Sequence, residues 1–170
     1  MKKVYDRWSG YLLAICTRYI PDKDIAEDIL QDSFVKIFSS IESFKSKGEG
    51  AFKAWISRIT VNEALMYLRK QKRCNFIEFQ DHLPDIPEDA EPDIGNIPAA
   101  EIQKMIQSLS DGYRTIFNLV ALEGKSHKEV AELLGITEST SASQFHRARK
   151  ILAKKITDYN KRNDAGTARK

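Results

Sequence analysis

A proline-rich acidic segment divides this chain and limits the folds that it can adopt. Residues 74–98 hold four of the five prolines and seven carboxylates, and they contain no lysine or arginine. Proline lacks the backbone N–H that an internal helical turn needs, and the surplus of one charge opposes packing into a core. We therefore predict a flexible acidic linker between two domains, spanning about 25–30 Å as a random coil.

The charges on either side of this segment have the opposite sign. Residues 1–73 carry a net charge of +5, residues 74–98 carry −7, and residues 99–170 carry +5, which gives the chain its net +3. Two basic blocks separated by an acidic one are typical of two nucleic-acid-binding modules on a tether. Chance clustering of charge on solvated faces is the alternative.

Apolar residues in the first block follow the period of a helix. They recur at spacings of three and four residues over 4–19, 25–41 and 52–66, which predicts three amphipathic helices. Pro21 ends the first helix and Asp22 is a suitable N-cap for the second. No segment alternates with period two, so we expect no sheet. Residues 1–73 are predicted to form a helical bundle, and the chain an all-α fold of two small domains.

The last block has the helix caps and the turn residue of a helix-turn-helix. Ser126-x-x-Glu129 is a capping box, Gly135 lies at the turn, and Thr137 can cap the following helix. The inward positions of that helix are predicted to be Ala142, Phe145, Ala148, Ile151, Leu152 and Ile156. We predict this domain over residues 99–160, followed by a disordered tail over 161–170.

Several classes of protein are not supported by the sequence. Cys16 and Cys74 form no C-x-x-C pair and only three histidines are present, so we expect no metal site, cofactor or disulfide. Cys16 is expected in the core. The chain has no signal-peptide core and no apolar run of about 18 residues, which predicts a cytoplasmic protein without membrane insertion.

The second helix of the helix-turn-helix supplies candidate DNA contacts. Such a helix enters the major groove with its first turns, and basic residues further along it bind phosphates. The candidates on it are Glu138, Ser139, Thr140, Ser141, Ser143, Gln144, Arg147 and Arg149. Ser126 and His127, at the start of the preceding helix, are further candidates. A helical hairpin without any role on DNA is the alternative.

Carboxylates cluster on the second helix of the first block. Asp24, Asp28 and Asp32 follow one another at intervals of four residues, with Gln31 beside them. Like charges at this spacing repel, which favours a cationic protein partner. A plain solvated face and an acid–base or metal site remain alternatives.

The third helix and the loop before it mix cations with aromatic rings, as single-stranded DNA sites do. The polar candidates are Lys45, Lys47, Lys53, Arg58, Asn62, Arg69 and Lys70. Among the aromatic residues, Phe52 and Trp55 are expected to pack in the core.

These residues carry a family resemblance. Residues 24–34 (DIAEDILQDSF), 52–62 (FKAWISRITVN) and Arg69-Lys70 resemble the second conserved region of extracytoplasmic-function (ECF) sigma factors. Residues 113–119 (YRTIFNL), 123–136 (EGKSHKEVAELLGI) and 143–149 (SQFHRAR) are similar to the fourth region of that family. The order and spacing of these motifs make the set specific.

The resemblance implies a sigma factor, a promoter-specificity subunit of bacterial RNA polymerase and not an enzyme in its own right. It assigns docking on the clamp helices of the core polymerase to Asp28, Gln31 and Asp32. Residues 44–53, Arg58 and Asn62 would melt the minus-ten element and capture a flipped base. The helix-turn-helix would bind the minus-thirty-five element. Core RNA polymerase, promoter DNA and an anti-sigma factor are the implied partners.

The sequence departs from the family pattern at four positions. Met66, Ser110, Ser139 and Ala142 stand where Asp, Pro, Gly and Lys are common. Two other functions remain open: a stand-alone helix-turn-helix regulator, and a helical enzyme that uses Asp24, Asp28 and Asp32.

Overall fold

The computed structural model describes residues 2–46, 48–71, 93–95 and 97–167, with side chains up to residue 163. The chain forms two compact units, Met1–Cys74 and Asn75–Lys170. Every secondary-structure element in the described ranges is a helix. The predicted all-α fold of two helical domains is therefore confirmed. Most of the predicted linker lies outside the described residues.

Three long helices make up the first unit. α1 runs over Lys2–Tyr19, α2 over Lys23–Ser40 and α3 over Ala51–Lys70, with a 3-10 turn at Ile41–Ser43 after α2. Each of the three helices packs against the other two. The unit is a three-helix bundle.

Apolar side chains from all three helices meet in the middle of this bundle. The buried ones include Leu12, Ile15, Tyr19, Ile29, Phe34, Ile37, Ile56, Ala64, Leu65 and Leu68. Burial of each large side chain stabilises the fold by about 1.5–3 kcal/mol. Cys16 is buried among them as predicted, and burial raises the pKa of its thiol to about 12.

Local signals in the sequence set the ends of these helices. Asp22 caps α2, because its Oδ1 accepts hydrogen bonds from the backbone N–H groups of Asp24 at 3.1 Å and Ile25 at 3.2 Å. Gly50 precedes α3 in the left-handed region, with φ +77°, a conformation in which a Cβ atom is strained. The predicted N-cap of α2 is confirmed.

The described residues of the second unit form four helices and a π turn. α4 runs over Ala99–Gln107, α5 over Asp111–Phe117, α6 over His127–Leu134 and α7 over Glu138–Thr167. The π turn, Asn118–Leu122, continues α5. α7 packs against α4, α5 and α6. The core of the second unit includes Leu109, Tyr113, Ala148 and Leu152, with Met105, Ile106, Phe117 and Ile151 packed around them.

The predicted caps of the helix-turn-helix are present. The Ser126 hydroxyl accepts a hydrogen bond from Glu129 N at 3.2 Å, and the Glu129 carboxylate accepts one from Ser126 N at 2.9 Å. That second bond, together with Lys125 and the Ser126 hydroxyl, holds the pKa of Glu129 below its usual value. Gly135, with φ +69°, is the C-cap of α6, and Thr140 N donates to the Thr137 hydroxyl at 3.0 Å.

The C-terminal boundary differs from the prediction. We predicted a disordered tail over residues 161–170, but α7 continues as a helix to Thr167. No glycine or proline interrupts the sequence between residues 136 and 165. An ion pair between Lys154 and Asp158, at 3.0 Å and one turn apart, also supports the helix.

A buried arginine joins α4 to α5. Arg114 is only 2% exposed, and its Nη1 donates to the carbonyl oxygens of Gln107 at 3.0 Å and Leu109 at 2.6 Å. Its Nη2 pairs with the carboxylate of Asp111. Carbonyl groups at the end of a helix have no partner within the helix, so the guanidinium satisfies acceptors that would otherwise be buried unpaired.

Replacing this arginine with methionine tests the role of these bonds. Arg114→Met keeps a long apolar side chain but removes the donors, and we expect it to lower the free energy of unfolding of the second unit by about 2–3 kcal/mol. Both tryptophans, Trp8 and Trp55, lie in the first unit. The urea transition followed by circular dichroism should therefore shift, and the one followed by tryptophan fluorescence should not. Arg149→Met, at an exposed position, is the matched control; an equal loss there would contradict the assignment.

Candidate functional site

The predicted docking residues lie together on the exposed side of α2. Asp28, Gln31 and Asp32 are exposed, while the opposite side of the helix is buried through Ile29, Leu30, Ser33, Phe34 and Ile37. Asp24 is exposed one turn earlier. The arrangement leaves carboxylate and amide oxygens free to accept hydrogen bonds from a basic surface.

An apolar residue extends this surface and was missed by the sequence analysis. Val35 is 68% exposed and follows Gln31 and Asp32 by four and three residues on α2. Its position outside the apolar stripe was the available signal. We call Asp28, Gln31, Asp32 and Val35 the acidic face of α2. A single exposed apolar side chain is ordinary on a protein surface, so Val35 adds an apolar contact to this face without marking it as a binding surface by itself.

Four exposed side chains form a row along α3. Arg58, Asn62, Met66 and Lys70 are spaced four residues apart, and all four are exposed. We call them the α3 row. Lys53 and Arg69, also exposed, lie on the same helix, and Lys45 is exposed in the loop before it. The structure therefore leaves these predicted residues open to solvent. Lys47 lies outside the described residues.

The carboxylate of α3 is paired with a lysine of α2. Glu63 is the acidic residue of that helix, and its side chain is 11% exposed and pairs with Lys36 of α2 at 2.6 Å. Lys36 Nζ also lies 3.8 Å from Met66 Sδ. The neutral Met66, where Asp is common in the family pattern, adds no second carboxylate beside Glu63. A groove of about 400 Å³ runs along this junction, lined by Lys36, Ser39, Ser40, Ile59, Asn62, Glu63 and Met66.

Aromatic rings hold the loop before α3. The Phe44 ring centroid lies 5.0 Å from that of Trp55 and 5.5 Å from that of Phe52, and Trp8 of α1 lies 6.1 Å from Phe52. Phe52 and Trp55 are half-buried in this cluster, so the prediction that they pack in the core is correct only in part. Pairs of rings at these distances each contribute about 0.5–1.5 kcal/mol beyond area burial. The cluster fixes the loop end that carries Lys45.

The start of α7 offers fewer DNA-facing residues than the sequence predicts. Glu138, Ser139 and Arg149 are exposed, and Thr140, Ser143 and Arg147 are half-buried. Ser141 is fully buried and Gln144 is 1% exposed, so neither reaches a DNA groove. Ala142, predicted to point inward, is exposed. The predicted assignments of Ser141, Gln144 and Ala142 were therefore wrong.

A polar contact explains this rotation of α7. The Ser141 hydroxyl lies 2.9 Å from Nδ1 of His127 on α6. The His127 ring meets the edge of Phe145 at 5.7 Å, and Phe145 stacks on Phe117 at 5.9 Å. The buried side of α7 thus runs through Ser141, Gln144, Ala148 and Leu152. Alanine is more hydrophobic than serine, so the apolar pattern alone predicts that Ala142 points inward. The buried position is in fact one residue earlier, at Ser141.

The two predicted contacts on α6 have structural roles. Ser126 is exposed, but its hydroxyl and backbone N–H both take part in the capping box. His127 is half-buried and holds α6 to α7 through Ser141. Each presents only part of its side chain to a ligand.

Two other features of the described residues bear on function. Within them, no three His, Cys, Asp or Glu side chains lie close enough together to hold a metal ion. None of the helices in these ranges has an apolar stretch that could cross a membrane.

Two protein-family models match the chain. The model described as sigma-70 region 2 matches residues 4–74, and the model described as sigma-70, region 4 matches residues 99–152. Together they cover the helices of the first unit and most of those of the second. The stretch of α7 after residue 152 lies beyond both matches.

Curated proteins with the same domains are similar over most of the chain. An ECF RNA polymerase sigma-E factor from Haemophilus influenzae is 32% identical over 167 residues, covering 88% of this chain and 84% of that protein. The ECF RNA polymerase sigma-E factor of Escherichia coli is 28% identical, covering 88% and 83%. Among solved structures, the sigma factor RpoE from Bartonella quintana, in complex with the anti-sigma factor NepR, has 25% identity and a TM-score of 0.53, covering 90% of this chain and 94% of that one.

Two serines on α7 test its rotation. Ser141→Ala removes the partner of a half-buried imidazole, and we expect it to lower the free energy of unfolding by about 1 kcal/mol. Ser139→Ala, two residues away on the exposed side, should change it by less than about 0.5 kcal/mol. Urea denaturation followed by circular dichroism measures both. Equal effects, or a larger effect of Ser139→Ala, would refute the buried register.

Proposed function

This chain belongs to the ECF branch of the sigma-70 family and is a promoter-recognising sigma factor of RNA polymerase, and we propose that its two units divide that work. The first unit docks on core polymerase and opens the minus-ten element. The second unit binds the duplex minus-thirty-five element. The observation that carries this proposal is the presence, in one three-helix bundle, of an exposed acidic face on α2 and an exposed basic row on α3.

The acidic face of α2 fits a basic protein surface. Asp28 and Asp32 lie one turn apart and repel each other in the free chain, and a cationic partner relieves that repulsion. Gln31 adds a donor and an acceptor between them. Val35 supplies an apolar contact that excludes water from the charged pairs. In this proposal these four residues bind the clamp helices of the polymerase.

The α3 row suits a melted DNA strand. Arg58 and Lys70 can follow the phosphate backbone, and Asn62 between them can hydrogen-bond an unpaired base. The pairing of Glu63 with Lys36 favours this use, because the lysine neutralises the carboxylate of α3 and so reduces its repulsion of an approaching phosphate. Lys45, Lys53 and Arg69 extend the positive surface, and Lys47 stays a prediction from the sequence.

The exposed start of α7 suits the major groove of duplex DNA. Glu138, Ser139, Thr140 and Ser143 remain available for base and phosphate contacts once Ser141 and Gln144 are excluded. In this proposal Arg149 binds a DNA phosphate, and Arg147 binds a second phosphate. In this proposal Ser126 and His127 help to position α6 against the DNA backbone. Only their exposed atoms would contact the DNA.

The proposal makes the chain a specificity subunit that adds no catalytic group to the polymerase. Bacterial polymerase acts in the cytoplasm, so we propose the same location for this chain. The similar Bartonella quintana protein is held by an anti-sigma factor. We propose that an anti-sigma partner controls this chain by covering surfaces that the polymerase would otherwise bind.

Charge reversal on α2 tests the docking surface. The double variant Asp28→Lys and Asp32→Lys should weaken binding to core polymerase at least tenfold and abolish run-off transcription from genomic promoter fragments, because like charges would face the basic partner. Circular dichroism should stay unchanged. Asp6→Lys with Glu132→Lys makes the same charge change at exposed positions on α1 and α6 and should retain binding. Normal binding of the Asp28→Lys and Asp32→Lys variant to core polymerase would contradict the assignment of the α2 face as the docking surface.

A single arginine tests the phosphate contact on α7. Arg149→Ala in the holoenzyme should weaken binding to all promoter sequences alike, and the slope of log K against log salt should fall by about 0.9 for one lost phosphate. Lys161→Ala, beyond the matched region, should leave the slope unchanged. Promoter titrations at four salt concentrations give both slopes. A loss confined to one base position would instead make Arg149 a base-reading residue.

A further inference from the structure

An alanine lies on the exposed side of the first turns of α7. Ala142 is exposed, and so are Glu138 and Ser139, which precede it by four and three residues. Residues at these spacings share one side of a helix. The buried side of the same stretch carries Ser141 and Gln144. Because a recognition helix contacts base edges with its first turns, the methyl group of Ala142 lies on the side that would enter the groove.

The first turns of α7 lack the side chains that most often read purine bases. Guanine is usually read by arginine or lysine, and adenine by asparagine or glutamine, through paired hydrogen bonds. Residues 138–146 contain no lysine or arginine. Gln144 supplies the amide of this stretch, and it is 1% exposed. The first cation of α7 is Arg147, about 14 Å along the helix axis from Glu138. These turns therefore use neither of the two pairings.

The hydroxyl groups of these turns discriminate little between bases. A hydroxyl both donates and accepts, so serine and threonine bind several base edges. Thr140 and Ser143 are also half-buried. The Thr140 hydroxyl lies 2.9 Å from that of Thr137, and the Ser143 hydroxyl donates to the carbonyl oxygen of Thr140 at 3.1 Å. Two exposed groups with a single chemical character remain: the carboxylate of Glu138, which can accept from cytosine N4, and the methyl group of Ala142.

A methyl group has one apolar counterpart at the base edges of the major groove. That counterpart is the C5-methyl group of thymine, and alanine is among the side chains that contact it. The small side chain also lets the helix backbone come close to the base edge. The lysine that is common at this position in the family pattern would hold the helix further away. Burial of one methyl-sized group changes a binding constant by about fourfold, which is enough to favour one base.

We propose that Ala142 is a specificity-determining residue: its methyl group packs against the C5-methyl group of a thymine in the minus-thirty-five element. This inference rests on the proposed function of the second unit, because it requires α7 to enter the major groove of that element. It assigns a base to a residue that the apolar pattern of the sequence places inward and that the structure places in solvent.

Removal of one methyl group from the DNA tests this contact. Deoxyuridine pairs with adenine as thymidine does and lacks only the C5-methyl group. The full chain, bound to core polymerase, is titrated with a promoter recovered by run-off transcription. Each thymine of the minus-thirty-five element, on either strand, is replaced in turn by uracil. Ala142→Gly removes the methyl group of the protein. Ala153→Gly, one residue beyond the region 4 match on the same helix, is the control because it has the same loss of helix propensity.

At one thymine, we expect uracil to weaken binding of the wild type and of Ala153→Gly by about fourfold. The same replacement should weaken binding of Ala142→Gly by less than about 1.5-fold, because the thymine methyl group has then lost its partner. Each variant is compared with itself on two templates, so a general loss of affinity cancels in the ratio.

Two results would count against the inference while leaving the proposed function intact. One is that no thymine of the element is sensitive to the replacement, and the other is that Ala142→Gly keeps the sensitivity of the wild type. Failure of the wild type to transcribe from any promoter would instead overturn the proposed function.

Discussion

Burial of one side of each long helix is the interaction on which both units depend. Neither unit has a sheet in its described residues, so the helices must cover each other's apolar sides to form a core. The rotation of a helix about its own axis then decides which side chains remain in solvent. The acidic face of α2, the α3 row and the start of α7 are all defined by the burial of the opposite side.

Polar contacts fix those rotations where apolar packing is thin. Arg114 satisfies the carbonyl groups at the end of α4, and the Ser141–His127 contact sets α7 against α6. Helices as short as α4, α5 and α6 are marginal in isolation. A buried hydrogen bond adds direction that hydrophobic contact lacks, so a few such bonds determine which residues of α7 remain exposed to solvent.

Charge is distributed so that each surface keeps one sign. The −7 of the linker and the positive blocks on either side are properties of the sequence. The Glu63–Lys36 pair refines this distribution within the first unit, since a cation of α2 neutralises the carboxylate of α3. In the proposed function, an anionic strand would meet cations and an amide along the α3 row, and a basic partner would meet carboxylates on α2.

The sequence by itself determined the helices, their caps, the two-domain division and the exposed residues of α2 and α3. These follow from local signals: apolar residues three and four apart, Asp22 and Ser126 at helix starts, and four of the five prolines in the linker. Only the tertiary structure decided that Ser141 and Gln144 are buried, that Arg114 joins two helices, and that the Asn160 side chain donates a hydrogen bond to the carbonyl oxygen of Asp93. Those contacts join residues between five and 67 positions apart in sequence. Hydropathy ranks each side chain by itself. It therefore cannot show which polar groups gain a hydrogen-bond partner on another helix, which lowers the free-energy cost of burying them.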